Sequence, residues 1–319
     1  MLDLAVEAHE LVRARTGAEI PGVTVEKENF PYAVVTTVRI ETEEAERMME
    51  KPRGTYITID APAIRENDRA VHQQIAELLG KKLNMLIQNL NLPQGASVLV
   101  VGLGNWHATP DALGPRTVDY TLVTRHLYRY APQHVRQGMR EVSAFAPGVL
   151  GVTGIESAEI IQGVIEKVRP HLIITIDALA ARNVERITTS IQLADTGISP
   201  GSGVGNDRTG INRETMGVPV IAIGVPTVVH AAFIANDAME RLWQELNKNP
   251  NMQRVYKALH PELIQSVVDN LLKPFGGQLM VTPREIDVLI QNTARIVVNG
   301  MNAALHPGIP PEEFGFSPG

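Results

Sequence analysis

The sequence predicts an α/β protein, a three-layer α/β/α arrangement around a largely parallel central sheet. Three observations carry the prediction. Continuous apolar runs at 97–102, 171–176 and 218–223 have the composition of strands covered on both faces. Between and after them, apolar residues recur at the helical interval of three to four. Strands that alternate with helices bury their apolar faces as helices packed on both sides of a mostly parallel sheet.

Taken in order, residues 1–65 read as an extended N-terminal part, with strands at 34–40 and 55–59, both rich in β-branched residues and bounded by Pro and Gly. From 66 to 92 the apolar residues Val71, Ile75, Leu78, Leu79, Leu83, Leu86, Ile87 and Leu90 fall on one helical face. Pro93-Gln94-Gly95 breaks the chain before the first buried strand, which runs into a loop at 102–115 and then a helix starting near Pro115. Ile161, Val164, Ile165 and Val168 form an apolar helix face ahead of the second strand. After the third strand, Thr282-Pro283-Arg284-Glu285 has the capping-box form, followed by Ile286, Leu289, Ile290 and Val297. The segment Asn247-Lys248-Asn249-Pro250-Asn251 is the best surface break. With no repeat or low-complexity linker, the reading is one domain over 1–319, with a core at 66–248 and a C-terminal helical appendage at 249–319.

Composition narrows the chemistry. Twenty-nine Lys and Arg against 35 Asp and Glu give a formal net charge of −6, which disfavours a dedicated nucleic-acid binder. The absence of cysteine removes thiolate catalysis, Cys-ligated metal sites and disulfides. The first residues carry acids where a signal peptide needs a basic start, and no stretch approaches the roughly 18 apolar residues of a membrane span. A cytosolic protein without a membrane partner is expected.

In open α/β sheets, ligands collect beyond the carboxyl ends of the strands. The loop from Gly102-Leu103-Gly104-Asn105 to Asp111 therefore stands where a site should be. It departs from a dinucleotide fingerprint, because His107 occupies the position of the third glycine. Asp177 follows directly on the second buried run. If its strand neighbours the first, Asp111 and Asp177 share one rim, and two close carboxylates that share a proton supply an acid and a base for activating water. The structural alternative is that Asp111 caps the following helix and Asp177 caps a turn. Asp195-Thr196-Gly197 has the tripeptide of pepsin-like proteases but occurs once, before a turn-rich stretch. His230 follows the third run; a hydrogen-bonded histidine and a site residue are both open there. No HExxH pair is present.

Longer strings point further. They include Val101-Gly102-Leu103-Gly104-Asn105 with Thr109-Pro110-Asp111-Ala112-Leu113-Gly114-Pro115, Pro147-Gly148-Val149-Leu150-Gly151 with Thr153-Gly154-Ile155-Glu156, and Ile176-Asp177-Ala178-Leu179-Ala180-Ala181-Arg182. Others are Asp195-Thr196-Gly197-Ile198 with 200–206, 221–229, and Met280-Val281-Thr282-Pro283. Together they resemble the germination protease family of endospore-forming bacteria over nearly the whole chain. The resemblance implies an atypical aspartic endopeptidase, related in fold to hydrogenase maturation proteases, that degrades small acid-soluble spore proteins during germination.

By the same resemblance, Asp111 and Asp177 are the catalytic pair and no cofactor is implied; Asn105, Arg182 and His230 are expected as substrate-binding or supporting residues. The family is made as a zymogen that trims its own N-terminus, and the segment around Asp3 and Leu4 looks like the processing region; most of the usual pro-sequence is absent from this sequence. A homotetramer in the spore core or forespore is implied, acting on protein rather than on nucleic acid. Two departures stand out: His230 where an acidic residue is expected, and a short stretch between Trp243 and Pro261. The first opens an enzymatic alternative, a metal-assisted peptidase in which Asp111, Asp177 and His230 hold a metal ion. A non-catalytic protein-binding module is the alternative from another class.

Overall fold

The computed structural model describes residues 2–131, 138–200, 209–248, 261–276 and 278–309. Nine described strands form one sheet: β1 (Val23–Phe30), β2 (Ala33–Ile40), β3 (Gly54–Asp60), β4 (Val98–Gly102), β5 (Val142–Phe145), β6 (Leu172–Ala181), β7 (Ser190–Ala194), β8 (Val220–His230) and β9 (Met280–Val281). Their order is β1-β2-β3-β7-β8-β6-β4-β5, with β9 added to the end of β8.

The sheet is mixed rather than largely parallel. β5, β4, β6 and β8 run parallel, while β1, β2, β3, β7 and β9 pair antiparallel with their neighbours. Connection length explains the difference. β6 ends at Ala181 and β7 begins at Ser190, a link too short for the dozen or more residues that a parallel crossover needs. Pro31-Tyr32 closes β1 and β2 as a hairpin, which is antiparallel by construction.

The central strands are predominantly apolar because both faces are covered. Val98 and Val100 of β4 and Ile174 and Ile176 of β6 join a cluster with helices α3 (Arg69–Asn89) and, near the C-terminus, Ile286–Leu305. Leu99, Val101 and Ile173, one residue out of step, face the opposite layer and meet Ile161 of the helix Ser157–Val168. This alternation follows from the two-residue period of a strand. Asp68 starts α3 by accepting from the amides of Ala70 and Val71. The expected capping box at 282–285 does not form: the last helix begins after Glu285 with no side-chain cap, and the Thr282 hydroxyl instead donates to the Thr227 carbonyl at 2.9 Å. Nor is that helix an appendage. Ile290, Ala294, Val297 and Met301 are fully buried against α3, in the same cluster as the sheet.

The N-terminal part also departs from the extended reading. It opens with a helix, α1 (Ala5–Thr16), and carries a second, α2 (Glu43–Met49), capped by Thr42; both pack on β2 and β3 through Ala5, Ala8, Val38, Ile40 and Met49. Their residues lack a clean apolar period, so local pattern hides them. The proposed break at 247–251 falls at the end of the helix Ala231–Lys248, and 249–251 lie outside the described residues, as does most of the Trp243 to Pro261 stretch and 201–206 of the turn-rich segment.

Candidate active site

A cleft of about 440 Å³ opens at the carboxyl ends of β4 and β6. Asp111 and Asp177 both line it, together with Asp3, Asn105 and Ala180. The two aspartates thus share a rim, because β4 and β6 are direct neighbours, paired from Val98↔Leu172 to Gly102↔Ile176.

Asp111 ends a short 3-10 turn, Thr109–Asp111, just ahead of the helix Leu113–Tyr120. It does not cap that helix, whose N-cap is Ala112 without a side-chain bond. Its carboxylate turns back instead, and Oδ2 accepts from the Asn105 amide at 2.7 Å. Gly104 makes this fold-back feasible. Its φ is +114°, and a Cβ there would lie 2.0 Å from the Asp111 carbonyl oxygen, so only glycine fits. Gly114 plays a similar part below: a Cβ would come within 2.2 Å of the Leu103 carbonyl oxygen, so the helix sits hard against the loop. Asn105 therefore supports Asp111 through its backbone, while its own Oδ1 accepts from the His107 amide and tightens the turn.

Asp177 is not at the end of its strand. β6 continues for four residues beyond it, and Asp177 is 7% exposed, so it reaches the cleft from within the sheet. Its Oδ1 accepts from the Ala178 amide at 2.9 Å.

Other expected residues are placed differently. Arg182 offers its backbone amide, at 2.8 Å, to the Glu7 carboxylate and does not line the cleft. His230 is the last residue of β8; its Nδ1 accepts from the Ala232 amide, its ring packs edge-on to Phe233, and it is absent from the cleft lining. Among the described residues no three His, Asp or Glu side chains converge to hold a metal ion, so the set Asp111, Asp177 and His230 is not assembled. The physical reason is reach: β8 contributes Thr227 and Val228 to the cleft and ends at His230, two residues beyond the last of them. Asp195 serves the sheet, Oδ1 accepting from the Thr55 amide at 2.8 Å where β7 leaves β3.

The N-terminal segment is the larger surprise. Leu4 and Val6 are buried against Leu179, Ala181, Ile187 and Val229. Asp3 lines the cleft and its Oδ2 accepts from the Ala180 amide at 2.9 Å, while Gln192 ties the segment down by accepting from the Ala5 amide and donating to the Asp3 carbonyl. Glu7, 2% exposed, accepts from the amides of Arg182 and Asn183 at 2.8 and 3.1 Å, with Arg186 3.8 Å away. Burial pushes its carboxyl above the usual range, and the two amides and Arg186 pull it partly back. In the sequence Glu7 reads as one of several acids near the N-terminus; nothing local marks it.

A cleft beyond the carboxyl ends of parallel strands, with acids from separate elements on its walls, is where α/β enzymes place their chemistry. Comparison with known proteins gives the class, a peptidase. The family model described as germination protease matches residues 5–266 and 258–317. The chain is 50% identical to a germination protease of Caldanaerobacter subterraneus subsp. tengcongensis over 316 residues, covering 98% of this chain and 96% of that one. It is 41% identical to that of Bacillus subtilis, covering 98% and 95%, and 41% identical to that of Priestia megaterium, with the same coverage. A solved NiFe hydrogenase maturation protease, HycI from Thermococcus kodakarensis KOD1, overlaps part of the chain at 18% identity, covering 41% of this chain and 74% of that one with a TM-score of 0.27. The chain belongs to the germination protease family, peptidase family A25, and is a hydrolase. Among the described residues no helix is long and apolar enough to cross a membrane.

Proposed function

We propose that this chain is an endopeptidase that hydrolyses small acid-soluble spore proteins during germination, with Asp111 and Asp177 as the catalytic pair. The observation that carries the reading is that these two carboxylates, 66 residues apart in sequence, line a single cleft. In the working form one is ionised and one protonated, since like charges held close do not both ionise. The ionised carboxylate takes a proton from water as the oxygen attacks the peptide carbonyl. The protonated one gives its proton to the carbonyl oxygen, forming a tetrahedral diol; as the C–N bond breaks, the first carboxyl gives its proton to the leaving amine and the second takes one back from a diol hydroxyl, which restores the pair. Neither step needs a thiol, which the chain lacks.

The experiment is replacement of each residue, Asp111→Asn and Asp177→Asn, with turnover of a purified small acid-soluble spore protein as the readout. Each variant loses roughly 10²–10⁴-fold or more in kcat, the scale of acid–base catalysis, while keeping its far-ultraviolet circular dichroism. Turnover within a few-fold of wild type in both refutes the pair. A homotetramer, synthesis as a zymogen and residence in the spore core or forespore belong to the same reading and are supported by family membership; sedimentation of the purified chain tests the first. Protein rather than nucleic acid is the expected partner, consistent with a net charge of −6.

A further inference from the structure

We propose that the cleft takes its polypeptide as an added β-strand along the open edge of β6, from Ala178 to Ala180. The proposal rests on the peptidase reading above and specifies how the same site holds its substrate.

β4 ends at Gly102, whose partner on β6 is Ile176, yet β6 continues to Ala181. The Ile176 carbonyl faces β4, accepting from the Leu103 amide at 2.8 Å. Every second residue of a strand presents its backbone groups to the same side. The amides of Ala178 and Ala180 therefore emerge on that edge beyond the last residue of β4, with that of Arg182 following just past the strand's end, and each ends on a side-chain carboxylate: Asp177 at 2.9 Å, Asp3 at 2.9 Å and Glu7 at 2.8 Å. Three amides at two-residue spacing, each with a carboxylate in place of a strand carbonyl, form a strand edge whose partner has been replaced by acids. Acids there also keep the edge from pairing with another copy.

The position of this edge selects its occupant. Ala178, Leu179 and Ala180 line the cleft, and Asp111, Pro110 and Val149 line it too. Carbonyls of an extended peptide recur at the spacing of these amides, and main-chain pairing is the usual way an exposed edge holds a peptide. A strand laid there runs past Asp177 and into the space shared with Asp111, which brings one of its peptide bonds to the two carboxylates. Asp3 is the acceptor it displaces. Glu7 is buried, whereas Asp3 is only half-buried, and the Asp3 segment stays anchored through Gln192 when its carboxylate is removed.

The test is a set of decapeptides spanning the cleavage site of a small acid-soluble spore protein, each N-methylated at one successive residue, assayed for KM and kcat with the full chain. Strand addition gives an alternating profile, with KM or Kd raised about fivefold or more at every second residue and little changed between, the scale of one lost hydrogen bond. A flat profile, or one in which only the scissile residue matters, overturns the proposal. Where no peptide is cut, the same set read by calorimetry decides the edge independently of catalysis, and the failure then belongs to the peptidase reading. Asp3→Ala supplies a second measurement: it lowers KM or Kd several-fold by vacating the Ala180 amide, and an increase overturns the assignment of Asp3 as the displaced acceptor.

Discussion

Glu7→Ala is the sharpest perturbation of the N-terminal anchor. In the native chain the Glu7 carboxylate accepts from two backbone amides at 2.8 and 3.1 Å in a position 2% exposed. Alanine leaves both amides without that acceptor, at roughly 1–3 kcal/mol each. Part of the loss is offset, because removing a carboxylate whose pKa is raised by burial also removes its desolvation cost. The net expectation is about 2–4 kcal/mol of destabilisation. Glu7→Gln keeps an oxygen acceptor without the charge and costs about 1 kcal/mol or less. Urea unfolding followed by circular dichroism measures both. The pH dependence gives an independent check of sign. A carboxyl with a raised folded-state pKa binds its proton more tightly folded than unfolded, so this group makes the protein more stable as pH falls from its folded-state pKa toward the ordinary value of 4.5. The ionisation penalty is fully present above the folded-state pKa. Glu7→Gln removes that slope. A Glu7→Ala variant within about 0.5 kcal/mol of wild type would refute the reasoning.

Two further outcomes follow from the same geometry. Gly104→Ala places a Cβ 2.0 Å from the Asp111 carbonyl oxygen at a φ of +114°, so the loop shifts and Asp111 with it; turnover falls by 10²-fold or more and stability by about 1–3 kcal/mol, read by kinetics and thermal melting, and an unchanged kcat refutes the link. His306 is fully buried at the end of the last helix, its Nδ1 accepting from the Arg140 amide, and burial pulls its pKa down to about 4. Its neutral form contributes stability that is complete above the ordinary value of 6.5 and is lost as pH falls toward 4. His306→Asn therefore flattens the acid limb of the stability curve, measured by urea midpoints between those two pH values, and an unaltered slope contradicts the assignment.

Much of the centre of the molecule was legible because burial on two faces leaves a mark on sequence. β4, β6 and β8 are apolar at nearly every position that packs, Thr175, Asp177 and Thr227 excepted, and α3 shows its period because one side meets the sheet. The antiparallel half was less legible. β1, exposed along most of its length, carries no apolar alternation, and the two small helices before β3 bury only a few residues each. At the site, the loop that carries Asp111 could be placed, since strand ends collect ligands, but Asp177 was set one step wrong because strand length is decided by pairing with β8 rather than by composition.

What the sequence determined by itself is therefore the local chemistry: no thiol, a set of two-face-buried strands, a glycine-rich turn after the first of them, and one acid following each of two buried runs. The tertiary structure alone decided which acids meet. Asp3 reaches the amide of Ala180 and Glu7 that of Arg182, across 177 and 175 residues, and His230 is carried past the cleft by the length of β8. Periodicity and capping act over a few residues, whereas these contacts are fixed by how far each strand runs and what lies at its open edge, and no local pattern records that.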